Sequence, residues 1–260
     1  MVRRVILHAD DFGFDDDATD ATIRCFGEGT LTSATIMANM PASERAASYA
    51  RAHSEFSFGA HLVYVDERPV CDAAKIATLV SSDGSFLPTP ELRKRALLGR
   101  ISEEDVIRET EAQLGRLRDF GIPLSHVDSH GHTHKLAPMR RAFARVLPRF
   151  GIERVRTAQS LFASKSLLRP TRWLGRYWDW QIRRRWKTTD DFYMMSSKDE
   201  MLTDRQFDTI VDGNGVVEAG FHPGTIESWR AAERDALERF VEACRGRGAA
   251  LITWNDVGNT

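Results

Sequence analysis

Residues 5–13 read Val5-Ile6-Leu7-His8-Ala9-Asp10-Asp11-Phe12-Gly13: an apolar run, then two adjacent carboxylates, then a turn signal. Val5-Ile6-Leu7 predicts a strand, and Phe12-Gly13 predicts the turn that ends it. Working outward, the same kind of run returns along the chain. Ser33-Ala34-Thr35-Ile36-Met37, residues 56–65, His126-Val127-Asp128, Arg154-Val155-Arg156, residues 215–221 and residues 249–253 are further strand candidates. Helical patterns lie between them. Ser102 and Asp105 predict a capping box ahead of Val106, Ile107, Leu114 and Leu117, with Gly121 and Pro123 as the stop. Met139, Phe143, Val146, Leu147 and Phe150 form a stripe closed by Gly151, and Leu237, Phe240, Val241 and Cys244 form another ending near Gly246 and Gly248. Alternating strands and helices imply a mostly parallel sheet of about seven strands. At 260 residues the expected architecture is α/β, a single domain over 1–260 built as a closed or nearly closed (β/α) barrel.

A formal net charge of -1 gives no global field toward nucleic acid or a membrane. Cys25, Cys71 and Cys244 are odd in number and lack C-x-x-C spacing, which argues against a disulfide framework or a thiolate zinc site. The apolar run after Arg3 and Arg4 is too short for a signal peptide, and no stretch approaches a membrane span, so the expected location is the cytoplasm.

The unusual residues cluster at predicted strand ends, where barrels place their chemistry. After Asp10-Asp11 come Gly59-Ala60-His61-Leu62, then Ser125-His126-Val127-Asp128-Ser129-His130-Gly131-His132-Thr133-His134, then Phe221-His222-Pro223-Gly224. Four imidazoles between residues 126 and 134 have no packing rationale. Imidazole nitrogen and carboxylate oxygen together suit one divalent ion, and an Asp/His/His set leaves coordination positions open. In an Asp pair, one carboxylate binds the ion while the other accepts a proton from water.

In this order the motifs A-D-D-F-G, G-x-H-L, H-x-D-S-H-x-H-x-H and H-P resemble the YdjC-like carbohydrate deacetylases over about residues 3–256. The resemblance implies a distorted (β/α) barrel and metal-dependent removal of acetyl groups from N-acetylated sugars. By motif position it implies Asp11, His61 and His130 as ligands of one divalent metal, magnesium or zinc. Asp10 corresponds to the catalytic base and His222 to the group that protonates the leaving amine. His126, Asp128, His132 and His134 match positions around the substrate pocket.

Residues 165–187, within an inserted segment at about 160–195, depart from that pattern. They carry Lys165, Arg169, Arg172, Arg176, Arg183, Arg184, Arg185 and Lys187 against Asp179, with Trp173, Trp178, Trp180 and Trp186. Basic and aromatic faces suit a lipid headgroup surface, a phosphate-bearing substrate or a partner groove, against the plainer reading of a helix whose aromatics pack on the barrel. Arg176 is the expected substrate contact of this segment. The 66–100 connection is too long for a simple link and should form part of the substrate cleft. The leading expectation is therefore a hydrolase that takes an acetyl group from an N-acetylated sugar, free or lipid- or phosphate-linked. Nucleic acid is not an expected partner; contact with the inner membrane face and a homodimer stay open. The alternatives are a metal-dependent phosphoesterase, or a sugar- or membrane-binding module with a relict site.

Overall fold

β1 (Arg4–Phe12) runs through the middle of a parallel sheet. On one side lie β2 (Ser33–Ile36), β3 (Ser57–Leu62) and β4 (Leu124–Ser129); on the other lie β6 (Val216–Phe221) and β5 (Asp191–Tyr193). β7 (Ala250–Leu251) also pairs with β1, and each of these pairings is parallel. This computed structural model describes residues 3–162, 170–195 and 203–258. Lys165 and Arg169 of the basic segment lie outside the described residues.

The helices are α1 (Asp16–Gly27), α2 (Ser43–Ala52), α3 (Thr89–Leu97), α4 (Glu103–Asp119), α5 (Ala137–Val146), α6 (Pro170–Arg183), α7 (Asp204–Val211) and α8 (Ser228–Gly246). Local chemistry fixes their ends. Asp15 caps α1 by accepting from Ala18 N at 2.7 Å. Ser102 caps α4, but the expected box is only half made: Asp105 Oδ2 accepts from Thr78 N and Oγ1 at 2.9 and 2.8 Å instead. A carboxylate that ties down the 66–100 connection is unavailable to its own helix end.

The barrel closes without a regular strand. Val155 bridges to Val127 of β4, Arg154 to Lys187, and Leu161 to Tyr193 of β5, all in parallel sense. The strand expected at 154–156 is thus an irregular staple between the two sheet edges. β5, three residues long, went unread because it is too short to show a period.

The alternation of side chains decides where the site sits. Ala9, Ala34, Ile36, Phe58, Ala60, Leu62, Val127, Val217, Ala219 and Phe221 join the apolar core shared with Phe26, Leu114, Phe143 and Phe240 of the helices. The alternate positions are buried and polar: His8, Asp10, Ser33, Thr35, Ser57, His61, His126, Asp128 and Glu218. Burying them inside is tolerable only because they bond one another. Ile6, Val216, Trp254 and Val257 form a small apolar floor beneath them.

Gly59 lets β3 and β4 approach closely: a Cβ there would sit 2.6 Å from His126 O and 2.7 Å from its ring. Gly59→Ala should therefore lower stability by about 1–3 kcal/mol through overpacking. Urea unfolding measures this, and an unshifted midpoint would show that the two strands separate freely.

Candidate active site and metal centre

β1 delivers both carboxylates because its alternation breaks at Asp11. Asp10 points into the barrel with His8; Asp11 adopts φ +59°, a left-handed conformation uncommon for a non-glycine residue. Two successive side chains therefore reach one site. The turn expected at Phe12-Gly13 begins one residue earlier, at Asp11 itself.

Asp11 Oδ1 lies 3.0 Å from His130 Nδ1 and 3.3 Å from His61 Nε2. These three side chains offer donor atoms within 4.8 Å of one another. Two donors each about 2.1 Å from a tetrahedral ion would be about 3.4 Å apart, so the spacing fits a divalent cation. The surroundings fit as well. His61 Nδ1 bonds Asp128 Oδ1 at 2.8 Å and Thr35 Oγ1 at 3.0 Å, which fixes the ring and turns Nε2 toward Asp11. Burial disfavours an imidazolium at His61, but Asp128 and Asp11 outweigh it and raise the group to about 10. The protein alone holds a proton where a cation would bind.

Two other donor groups, His8/His126/Glu218 and His8/Asp10/Asp128, are poor cation sites. Their carboxylates already share a positive charge. Arg156, fully buried, gives Asp10 two hydrogen bonds at 2.8 Å, meets Asp128 Oδ2 at 2.5 Å and grips Glu218 at 2.8 and 3.1 Å. Burial alone would raise the Asp10 carboxyl, yet the guanidinium holds it far below the usual carboxylate range. Glu218 goes the other way, pushed up by burial to about 7 despite Arg156.

His222 stands at the end of β6. Its backbone N and its Nδ1 both meet Glu233 Oε2, at 2.5 and 3.1 Å. Burial would lower its pKa, but Glu233, then Asp11 and Asp10, raise it. The imidazole is thus held toward its protonated form.

With this geometry in view, the comparisons are specific. The family model described as "YdjC-like protein" matches residues 4–244. The chain belongs to the YdjC-like family. A carbohydrate deacetylase of Geobacillus stearothermophilus is 41% identical over 135 residues, 52% of each chain. One from Clostridium beijerinckii is 28% identical over 228 residues, 86% of this chain and 83% of its own. The matched stretch thus spans about half the length of the first of these relatives. A solved structure from Enterococcus faecalis V583, described as a cellobiose-phosphate cleavage protein, superposes with a TM-score of 0.80 at 21% identity, covering 98% of this chain and 99% of its own. That likeness extends to the fold of the YdjC-like family, an α/β distorted barrel.

The expected substrate contacts lie at different depths. His126 is fully buried, stacked on Trp254 with centroids 4.4 Å apart, one layer below the site. Asp128 is fully buried between His61 and Arg156. His134 is buried with Nδ1 on Ser129 Oγ at 2.9 Å. All three are buried and bonded to neighbouring side chains of the protein itself. His132, half-buried at φ +51°, lies against Phe192. Arg176 is exposed, stacks on Trp173, and lines a cleft of about 270 Å³ with Gln159, Ser160 and Asp179, outside the metal-ligand cluster. The 66–100 connection does lie at the His130 end: Arg93 Nη2 donates to Gly131 O at 2.8 Å.

Arg156, Glu218, Arg230, Glu233 and Thr35 escaped the sequence reading. Glu218 had a signal, a lone acid within Val216-Val217-Glu218-Ala219-Gly220-Phe221. Arg230 and Glu233 sit on a helix whose pattern resembles any amphipathic one.

Because His61 holds a proton in the free protein, cation binding at pH 7.5 should release about one proton. Calorimetry in buffers of different ionisation enthalpy reads this directly. A binding heat independent of buffer would show that His61 carries no proton in the free protein.

Proposed function

We propose that this YdjC-like protein is a metal-dependent N-deacetylase of a carbohydrate, releasing acetate from an N-acetylated sugar. The observation that carries the reading is the pairing of two differently held groups beside one cation site: Asp10 held toward its ionised form by Arg156, and His222 held toward its protonated form by Glu233. A base and an acid with opposed proton preferences are what amide hydrolysis requires. The names of the relatives support a carbohydrate substrate.

Asp11, His61 and His130 would hold the divalent ion. Bound there, it would polarise the acetamide carbonyl and make water more acidic. Asp10 takes one proton from the attacking water as its oxygen bonds the carbonyl carbon. The C–N bond then breaks, and His222 gives its proton to the departing nitrogen. The products are acetate and a free amino sugar. Zinc suits the two imidazole ligands; magnesium remains an arm of the test.

Within this reading, α6 favours a sugar carried on a lipid or phosphate over a small free one. Trp173, Tyr177 and Trp180 are 72, 49 and 49% exposed, whereas Trp178 turns inward over Lys135. Arg176 and Arg184 stack on Trp173 and Trp180. Exposed indoles with cations suit a headgroup layer, while Trp178, Ile182 and Trp186 pack on the barrel. Arg183, by contrast, bonds Asp179 and Asp190 O and acts as scaffold. The free cysteines fit a cytoplasmic setting at the inner membrane face. Among the described residues no helix is long and apolar enough to cross a membrane.

Acetate release from a panel of N-acetyl sugars, with zinc and magnesium in turn, tests the reading. Asp10→Asn should lose roughly 10²–10⁴-fold in rate while keeping its metal. Equal loss of metal would make Asp10 a ligand, and a panel without acetate release in any arm would refute the deacetylase. Lipid-linked sugar turned over no faster than its free counterpart would take that role from α6.

The pH profile has a defined sign. A raised His222 pKa keeps the acid protonated to higher pH, and activity falls as pH rises through it. Glu233→Gln should move the alkaline limb of kcat/KM to lower pH. An unmoved limb would show that another group supplies the proton.

A further inference from the structure

The two oxygens of Asp11 are treated differently. Oδ1 faces His130 Nδ1 and His61 Nε2, while Oδ2 accepts from Arg230 Nη2 at 2.8 Å. Arg230 comes from the first turn of α8 and is buried. Its Nε bonds Glu227 Oε2 at 3.1 Å, and its guanidinium carbon lies 4.6 Å from the Trp229 ring centroid and 5.5 Å from that of Phe14. Gly224 makes room for it, since a Cβ there would come within 2.8 Å of Arg230 Cβ.

Its remaining nitrogen, Nη1, is buried with no acceptor among the described residues. A buried donor without a partner is destabilising. Nη1 is left unmet while Nη2 holds Asp11.

We infer that Arg230 is a positioning residue that makes Asp11 a one-oxygen ligand and keeps the cation site one charge more positive. The inference rests on reading Asp11, His61 and His130 as that site. A carboxylate with both oxygens free can chelate a cation through the pair; one whose Oδ2 is held by a guanidinium offers Oδ1 alone. The position thereby left open is available to the acyl substrate. The added positive charge weakens cation binding and makes the bound ion a stronger electrophile.

The test uses the full chain loaded with Co2+, read by its visible spectrum and by calorimetric affinity. Arg230→Met removes both the hydrogen bond and the charge. It should bind Co2+ more tightly, by roughly tenfold or more as the cationic neighbour goes. Its absorption bands should weaken as the coordination number rises, and kcat should fall. Arg230→Gln keeps a donor for Oδ2 but not the charge, so its affinity should rise with the wild-type spectrum retained. If the Met variant does not fold, the Gln variant decides alone. Unchanged affinity in Arg230→Gln, or weaker binding in either folded variant, overturns the inference. Asp11→Asn separates the two failures: if it leaves wild-type Co2+ affinity intact, the cation-site reading itself is wrong.

Discussion

One guanidinium sets the terms for the interior of this barrel. Arg156 touches Asp10, Asp128 and Glu218 with no exposure to solvent, and its carbon lies 4.6 Å from the Phe192 ring centroid. Removing one partner from such a buried set costs about 3–5 kcal/mol, because the charges left behind have neither water nor counter-ion. Here the loss would fall on three carboxylates at once. Arg156 also stands beside Val155, whose bridge to β4 helps close the ring. Closure of the barrel and charge balance of the site therefore depend on the same short segment.

From this clamp the functional groups follow in sequence. Asp128, held by Arg156, orients His61, and His61 faces Asp11. Asp10, gripped on both oxygens, is kept ionised beside them. Across the barrel mouth, α8 supplies Glu233 for His222 and Arg230 for Asp11. The proposed base and acid are thus held by separate elements, so their opposed proton preferences need not compromise each other.

Much of this was legible in the sequence, and the limits have physical reasons. Strand ends were visible because apolar runs stop at Asp10-Asp11, His61, the His126–His134 block and His222. The polar alternation within strands was equally present: His8-Ala9-Asp10, Ser33-Ala34-Thr35 and Val217-Glu218-Ala219 each alternate. It carries no weight in a parallel sheet, whose strands usually read as continuous apolar runs. A barrel lined with its own polar network breaks that habit. A histidine-dense motif does not say how deep each ring lies, and His126 and His134 are buried. Arg156 and Arg230 were beyond reach, since partners 146 and 219 residues away leave no local pattern.

The central claim is that one cation sits where β1, β3 and the turn after β4 converge. Anomalous diffraction from crystals grown with zinc measures it most directly. The account predicts one peak per chain, roughly 2.0–2.3 Å from Asp11 Oδ1, His61 Nε2 and His130 Nδ1. A peak among His8, His126 and Glu218 instead, or none at saturating zinc, would contradict it.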